Sequence, residues 1–334
     1  MRVAVLSFAH ERAATYARLL AATPGVELVI ADPDGPPQDP ARGRAVAREL
    51  GAAYAEGWDE AFALRPDAVV VTSGLARRRD LVERAAGAGA HVLCEQPLAA
   101  TATDALAMVR ACEEAGVRLT PASPECSSPA FAAVREGLAA GTAIGRLTTV
   151  HGACNAPAAE GPEAGAVLAA NAASLLALVD AVLGGQPAER VYAQSNGLLS
   201  GGQDVQSAAL MTVRYADGTV ASLDCSRGLA GNPSGAGGPA LTFVGERGSV
   251  DFTARPRLIG GFDSATGAER WEPGGGDLEA RVLGAFLAGD GDGGGGDGPG
   301  PDGAAAVRTL RIIEAAIESS RTGRPVEPAA PAGA

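Results

Sequence analysis

Short apolar runs alternate with amphipathic stretches along the first third of the chain. The apolar runs lie at 2–6, 26–31, 67–72, 91–94 and 117–120. Stretches with apolar residues at helical spacing lie between them, at 11–22, 39–51, 77–88 and 103–115. Strands that are apolar on both faces are typical of a parallel sheet covered by helices on both sides. The pattern therefore predicts a doubly wound, Rossmann-like α/β domain over residues 1–122.

The pattern changes after residue 122. Apolar and polar residues alternate along 146–152, 190–194, 208–215, 219–225, 240–244 and 249–252. Helical stretches lie at 129–139 and 165–183, and Asp217-Gly218 is a turn signal between two strands. We expect an α+β domain over 123–303 with a large, mostly antiparallel open sheet. A last helical segment, 304–325, is expected to pack back on the first domain.

A low-complexity segment precedes that last helix. Residues 289–303 read GDGDGGGGDGPGPDG, a run of glycine, aspartate and proline without any apolar pattern. Such a segment cannot bury enough apolar surface to offset the cost of ordering it. We therefore predict a disordered loop.

The net charge argues against some classes of binding partner. It is −12, whereas nucleic acids and anionic membrane surfaces are bound through basic patches. No apolar run approaches the roughly 20 residues of a transmembrane helix. The chain enters a strand at once, so we expect no signal peptide. We expect a cytoplasmic protein that binds neither nucleic acid nor membrane.

Cysteine and lysine usage exclude some kinds of site. The five cysteines are scattered without CxxC spacing, which favours a reducing compartment and predicts neither a disulfide framework nor a metal site. All 27 basic residues are arginine. The absence of lysine excludes a Schiff base and an ammonium general acid.

The segment with the clearest chemical signal is HVLCEQPLA, at 91–99. A buried-looking strand runs directly into an acid, an amide and a proline, Glu95, Gln96 and Pro97. The carboxyl ends of strands form the ligand crevice of open α/β sheets. These residues therefore indicate a site at that edge of the sheet.

This segment resembles the HVLCEKPLA-type signature of the Gfo/Idh/MocA family of NAD(P)-dependent oxidoreductases. The resemblance extends over nearly the whole chain, through PGVELVIAD, PDAVVVTS, RYADGTVASLD, VGERGSV and EAAIESSRTGRPV. It implies a dinucleotide-binding domain followed by a substrate domain. It also implies hydride transfer to or from a sugar-like, polyol or other hydroxylated small molecule.

The resemblance places the cofactor at the end of the first strand. The glycine-rich turn of the family corresponds here to Ser7, Phe8, Ala9, His10 and Arg12, so no glycine remains. Ser7 and Ala9 are small, and Arg12 is expected to contact a phosphate. His10 faces either the phosphate and substrate cleft or the solvent.

Further cofactor contacts are implied at the ends of later strands. Asp32 would bind the adenosine ribose and favour NAD over NADP, unless it only caps a turn. Thr72, Ser73 and Glu95 would also bind the cofactor, and the position of Glu95 helps to hold the cofactor loop in the family. The expected cofactor is thus NAD or NADP.

The usual catalytic groups of the family are missing. Gln96 occupies the place of its proton-donating lysine, and the Gln96–Pro97 bond would be cis. Glutamine can form hydrogen bonds but cannot deliver a proton. Ala169 and Ala173 stand where an aspartate and a histidine would be, and Cys126 replaces an arginine.

Four residues remain as catalytic candidates. They are Gln96, His151, Cys126 and Glu95. A histidine suits proton transfer at neutral pH, but His151 could equally be a satisfied residue on the sheet. Cys126 would be a nucleophile only beside a base, and is otherwise a small buried cysteine.

Three functions remain open. The first is an NAD(P)-dependent oxidoreductase with an atypical site, in specialised metabolism. The second is a redox-neutral lyase, cyclase or hydrolase that uses the scaffold without nicotinamide. The third is a non-catalytic pseudoenzyme subunit. Because the open sheet of the second domain is expected to be apolar, we predict a homodimer or homotetramer formed through it.

Overall fold

The computed structural model describes residues 1–36, 38–155, 167–198, 207–227, 238–254, 259–263, 266–272, 276–289 and 300–329. The chain divides into two compact units. The first unit comprises Met1–Pro124 and Glu279–Leu310, and the second comprises Glu125–Leu278 and Arg311–Ala334. The chain therefore leaves the first unit at Pro124 and returns to it at Glu279.

The first unit contains a parallel sheet. Its strands are β1 (Arg2–Leu6), β2 (Glu27–Ala31), β3 (Ala53–Ala55), β4 (Ala68–Val71), β5 (His91–Glu95) and β6 (Leu119–Ala122). Their order is β3-β2-β1-β4-β5-β6, and every pairing is parallel. This confirms the predicted doubly wound sheet. The strand order reverses between β1 and β4, which is where open α/β sheets bind ligands.

Helices between the strands cover the faces of this sheet. They are α1 (Arg12–Ala21), α2 (Gly43–Leu50), α3 (Trp58–Ala63), α4 (Leu75–Gly87) and α5 (Ala102–Ala115). A core on one side joins Val3, Val5 and Ile30 of the strands to Tyr16 and Leu20 of α1. The four residues of β4 are all buried, as the continuous apolar run predicted.

The first unit also takes two helices from the end of the chain. In α8 (Leu278–Ala288), Val282, Leu283 and Phe286 belong to the same core as α1. The last helix, α9 (Gly303–Thr322), begins in the first unit and ends in the second. The sequence placed 279–303 in the second domain, and the structure differs because the apolar face of α8 is buried in the core of the first unit.

The second unit contains a mixed sheet. Its strands are β7 (Leu147–Ala153), β8 (Ala188–Asn196), β9 (Ala208–Tyr215), β10 (Val220–Asp224), β11 (Ala240–Gly245) and β12 (Gly248–Thr253). Their order is β12-β11-β7-β10-β9-β8. Only β7 and β10 pair in parallel, so the predicted mostly antiparallel sheet is confirmed.

Further elements accompany this sheet. They are a 3-10 turn (Pro124–Ser127), α6 (Pro129–Ala139), α7 (Val167–Leu183) and a hairpin of β13 (Ile259–Asp263) with β14 (Ala268–Glu272). The C-terminal part of α9 is tied to β8, because Ser319 Oγ accepts a hydrogen bond from Ala193 N at 2.9 Å. Val326, beyond α9, forms a bridge with Val191.

The two faces of the second sheet differ in polarity. Gly152 faces α7, since a Cβ there would lie 3.1 Å from Leu175 Cδ2. His151 therefore projects from the opposite, open face and is exposed. Other exposed residues on that face are Leu210, Thr212, Arg214, Val220 and Ser222.

The expectation of an apolar open face is wrong for these described strands. Strict alternation buries Met211 and Val213 under the helices and leaves mainly hydroxyl and charged groups outside. Leu210 and Val220 are the apolar exceptions. The homodimer or homotetramer therefore stays a prediction, and it loses its hydrophobic argument.

Two negative findings apply to the described residues. None of their helices is both long and apolar enough to cross a membrane. No cluster of three or more His, Cys, Asp or Glu side chains among them could hold a metal ion. Most of the predicted disordered loop at 289–303 lies outside the described residues.

Candidate functional site

Backbone hydrogen bonds bring several of the predicted cofactor residues together at the point where the strand order reverses. Ser7 N donates to Ala31 O at the end of β2 (2.7 Å), and His10 N donates to Thr72 O at the end of β4 (3.1 Å). The Thr72 hydroxyl donates to Ser7 O at 2.7 Å. The loop between β1 and α1 is thus fixed against both neighbouring strands.

The loop keeps a glycine-like backbone without glycine. Ser7 has a φ of 74°, in the left-handed region that non-glycine residues rarely adopt. Its hydroxyl accepts a hydrogen bond from Ala9 N at 3.3 Å. Ala9 is exposed and α1 begins three residues later. This turn before a helix N-terminus fits a dinucleotide pyrophosphate.

The ribose end of the site contains a closed ion pair. Asp32 accepts hydrogen bonds from Phe8 N (3.1 Å) and Gly43 N (3.0 Å). Arg42 donates to both of its oxygens, at 2.8 and 2.7 Å. Asp32 is therefore already saturated, and an adenosine ribose would have to share it with Arg42.

Gly43 allows the backbone to approach Asp32 closely. A Cβ at Gly43 would lie 2.6 Å from Asp32 Cβ, whereas one at Gly35 would meet only the ends of the Arg42 and Asp32 side chains. Phe8, predicted to contact cofactor, is 5% exposed and packs in the core, so only its backbone reaches this site. The sequence did not single out Arg42.

Glu95 forms a buried charge network at the end of β5. Its side chain is fully buried, and its Oε2 lies 3.2 Å from Arg12 Nη1. Arg12 Nε lies 3.4 Å from Glu279 of α8. Arg12 was expected to contact a phosphate, but the structure gives its guanidinium two carboxylates. Burial and the nearby Glu95 carboxylate raise the pKa of Tyr16 well above its usual value.

His10 lies beside this network. Its Nδ1 accepts a hydrogen bond from Arg12 N, the first residue of α1, at 3.3 Å. The same atom lies 3.8 Å from Glu95 Oε1. Burial lowers the pKa of His10, and the Arg12 and Arg78 charges lower it further, while Glu95 and Glu11 oppose the shift. With 28% of its side chain exposed, His10 lies between the two placements that the sequence left open.

This lowered pKa predicts a pH-dependent stability. As the pH falls through about 6.5, the histidine of the unfolded chain takes up a proton that the folded protein resists. The stabilisation by neutral His10 is thus present above that pH and is lost below it. We expect the free-energy advantage of wild type over His10→Asn to shrink between pH 7.5 and pH 5 in urea titrations.

The control for this prediction is Ser222→Asn on the exposed face of β10, which removes no titratable group. Its stability difference from wild type should stay constant over the same pH range. His91, whose pKa is also lowered by burial, remains in all three proteins and cancels. Parallel pH profiles for wild type and His10→Asn would contradict the prediction.

Arg78 organises the segment that carries Gln96. It lies on α4 and is 4% exposed. Its Nε donates to Ser73 O (2.9 Å), and its Nη1 donates to Glu95 O (2.9 Å) and to Pro97 O. The Gln96–Pro97 bond is cis, as the resemblance implied. The sequence missed Arg78 because it is one of three consecutive arginines.

Three buried polar atoms on and around Glu95 remain unsatisfied. Ser73 Oγ, Glu95 Oε1 and the Tyr16 hydroxyl have no hydrogen-bond partner in the described part of the chain. Gln96, directly after Glu95, is half-buried. Buried polar groups are normally satisfied, so unsatisfied ones at such an edge suggest a bound ligand.

Other predicted residues lie elsewhere. Cys126 lies in the 3-10 turn, and all five cysteines are buried and outside any disulfide. His151 is on the open face of the second sheet, beside Ser222 and Thr242. Their catalytic roles stay predictions.

The helix α7 corresponds to the helix that carries an acid–histidine pair in the family. Its described residues at the matching positions carry no catalytic group. Ala173 is 1% exposed. Asn171 donates to Cys225 O (3.3 Å) and Ser226 O (3.0 Å), so it joins α7 to the end of β10. This asparagine therefore has a structural role.

Comparisons with known proteins agree with this architecture. The chain is 44% identical over 87 residues to D-xylose 1-dehydrogenase (NADP(+)) 2 of Haloferax volcanii, covering 25% of this chain and 27% of that protein. It is 34% identical over 168 residues to 1,5-anhydro-D-fructose reductase of Ensifer adhaerens, covering 46% and 49%. The chain thus spans less than half the length of the curated relatives it matches.

A solved structure and two family models extend the comparison. GenD2 from gentamicin A biosynthesis, determined in complex with NAD, superposes with a TM-score of 0.81 at 23% identity, covering 99% of this chain and 97% of that one. At this identity the likeness shows the fold. Residues 36–123 match the model described as an oxidoreductase family with an NAD-binding Rossmann fold, and 131–251 match the GFO/IDH/MocA C-terminal domain. With both of its domain models matched in order, the chain belongs to the Gfo/Idh/MocA family of oxidoreductases.

Proposed function

We propose that this protein is an NAD(P)-dependent oxidoreductase that acts on a sugar-like, polyol or other hydroxylated small molecule. The observation that carries the proposal is the loop at Ser7. The glycines of the dinucleotide turn are gone, yet Ser7 holds a φ of 74° and the loop is still fixed to β2 and β4. A rarely populated backbone conformation persists where the surroundings and the function require it.

The chain's own residues would divide the work along the sheet edge. The N-terminus of α1 and the Ser7–Ala9 turn would hold the pyrophosphate. Ser73, Glu95 and Gln96 would line the reacting end. Bound nicotinamide would supply the hydride chemistry, so the protein would mainly orient the substrate and polarise its oxygen.

The first test is of cofactor binding. NADH or NADPH is added to the purified protein, and binding is measured from the fluorescence of the nucleotide. Micromolar affinity is expected. Ala9→Asp places a carboxylate against the pyrophosphate and should weaken binding by about tenfold or more, at least 1.4 kcal/mol. Ala21→Asp, at the far end of α1, adds the same charge and should leave binding unchanged. Absence of binding at millimolar nucleotide would refute the proposal.

Substrate class is tested next with two compounds named by the relatives. D-xylose would be offered with NADP+ or NAD+, and 1,5-anhydro-D-fructose with the reduced nucleotides. Turnover of either would support a sugar-directed oxidoreductase.

We further propose that NADP(H) is accepted, with Arg42 binding its 2′-phosphate. Asp32 alone favours NAD, but here Arg42 covers it with a bidentate, partly exposed guanidinium. Planar guanidinium groups suit phosphate geometry. When the phosphate is absent, Arg42 returns to Asp32 and limits its access to the ribose hydroxyls.

Arg42→Ala should therefore change nucleotide preference. We expect the affinity for NADPH to fall by about tenfold, the effect of losing one charge-assisted contact, while NADH affinity holds or improves. Arg44→Ala is the matched control, because Arg44 stacks over Tyr54 and pairs with Glu56 outside the site. Equal losses for both nucleotides in Arg42→Ala would contradict this role.

Redox-neutral chemistry remains the second candidate. It is favoured by the saturation of Asp32 by Arg42 and by the pairing of Arg12 with Glu95 and Glu279. Both pairs occupy groups that a nucleotide would use. The NADH and NADPH titration separates the two candidates, since redox-neutral use requires no nucleotide.

A further inference from the structure

The chain has three histidines, and their positions single out His10. His91 begins β5, at the opposite edge of the sheet from the cofactor loop. His151 lies in the second unit. Only His10 lies at the carboxyl edge of the parallel sheet, between the ends of β1 and β4 and beside Glu95.

The hydrogen bonds of His10 define its tautomer. Because Arg12 N–H donates to Nδ1, that nitrogen carries a lone pair and the proton of the neutral ring is on Nε2. Nε2 has no partner among the described residues. The side chain keeps 28% of its surface exposed. His10 thus presents one unused N–H donor at the ligand-binding edge.

The surroundings keep this ring neutral. The N-terminus of α1 has a partial positive charge that disfavours imidazolium. The charged groups that face the ring are Arg12 and Glu11 near its own loop, Glu95 from β5 and Arg78 from α4. Glu95 favours the cation, but its carboxylate is already paired with Arg12.

We propose that His10 acts as a neutral hydrogen-bond donor, whose Nε2–H stabilises negative charge on the reacting oxygen of the substrate. This inference rests on the proposed function. A carbonyl compound that accepts a hydride from NAD(P)H becomes an alkoxide, and water then supplies the proton to its oxygen. The histidine neither gains nor loses a proton. Like Gln96, it would polarise the oxygen through a hydrogen bond and not through a charge.

The unsatisfied atoms nearby support a ligand at this position. Glu95 Oε1 lies 3.8 Å from His10 Nδ1 and has no hydrogen-bond partner, and neither does Ser73 Oγ. A hydroxylated substrate bound over this edge could accept a hydrogen bond from His10, whose side chain is 28% exposed beside the buried Glu95. Preorganised donors of this kind stabilise developing oxyanions without reorganisation.

The first experiment reads the tautomer directly. Imidazole 15N NMR of the nucleotide-free protein would be recorded across the neutral pH range, with His91→Asn and His151→Asn assigning the other two rings. We expect a neutral His10 with its proton on Nε2. A proton on Nδ1, directed at Glu95, would indicate a base held by a carboxylate and would overturn the proposal, as would an imidazolium at neutral pH.

The second experiment uses a pair of variants that separate the two ring nitrogens. His10→Gln keeps an N–H donor near the Nε2 position, whereas His10→Asn can keep the acceptor near the Nδ1 position but places no polar atom near Nε2. With the better of the two sugar substrates, we expect kcat to fall by about 10²-fold or more in His10→Asn and distinctly less in His10→Gln. Equal losses in both variants, or none, would overturn the proposal.

Nucleotide affinity distinguishes a failure of this inference from a failure of the proposed function. Kd for NADH and NADPH should be unchanged in both variants, measured well below their unfolding temperatures. A raised Kd with unchanged kcat would place His10 on the pyrophosphate and overturn this inference while the proposed function stands. If wild type binds no nucleotide, the proposed function fails, and the NMR tautomer still reports on His10 independently.

Discussion

Replacing Arg78 by methionine is expected to lower the free energy of unfolding by roughly 3 kcal/mol or more. Its guanidinium donates to the carbonyls of Ser73, Glu95 and Pro97, which come from the ends of two strands and the cis turn. Methionine fills much of the volume but donates no hydrogen bond. Each buried carbonyl left without a partner costs about 1–3 kcal/mol. Urea denaturation, followed by circular dichroism, measures the loss.

Arg79→Met is the matched control. Arg79 is the next residue on α4, but its side chain is 47% exposed and pairs with Glu83 and Asp104 on the surface. Exposed ion pairs contribute about 0–1 kcal/mol. Similar losses in the two variants would show that the buried network around Arg78 does not hold the edge of the sheet. Nucleotide affinity should fall only in Arg78→Met, because the segment at Ser73 and Glu95 loses its support.

Arg12→Met is the second variant with a large expected effect. It removes the cation paired with fully buried Glu95 and with Glu279. Breaking a buried ion pair on one side typically costs about 3–5 kcal/mol, because an uncompensated charge remains inside. We expect a loss of that size in the free energy of unfolding. Arg18→Met on the same helix removes an exposed pair with Glu49 and should cost less than about 1 kcal/mol.

The double variant Arg12→Met/Glu95→Gln tests the cause. Removing the buried charge along with its partner should recover a good part of the lost stability. The two residues are in contact, so their effects should not add. A double variant no more stable than Arg12→Met would mean that packing of the arginine stem, and not the charge of Glu95, explains the loss.

Local patterns were sufficient for most of the fold. Continuous apolar runs such as 67–72 identified buried parallel strands, and strict alternation identified β9 and β10 as strands with one buried face. Both signals are periodicities that the backbone imposes on neighbouring residues. The short strand β3 was missed, because three residues of sequence AYA are too few to show a period.

The assignment of α8 shows where local patterns fail. The apolar face of this helix predicts that the helix is buried. It does not predict which of the two cores contains it. The structure places Val282, Leu283 and Phe286 against α1 and the parallel sheet. A helix that follows a long segment of another unit has no local signal for its partner, since that choice depends on contacts far apart in sequence.

Local patterns likewise predicted only part of the candidate site. Sequence patterns alone predicted the edge at which a ligand would bind, because Glu95, Gln96, Ser7 and Asp32 each end or follow an apolar strand. Comparison with the family signature also identified glutamine in place of lysine at position 96. The same signature predicted the cis bond before Pro97.

Which charges meet is evident only from the folded chain. The structure pairs Arg42 with Asp32 and Arg12 with Glu95. It also pairs Arg78, the buried residue among three consecutive arginines, with the cis turn. It also aligned His10 Nδ1 with the first N–H of α1 and left Nε2 unused. Side-chain polarity is visible in a sequence, but burial and partner choice depend on elements brought together from distant parts of the chain, and these set the electrostatics of the site.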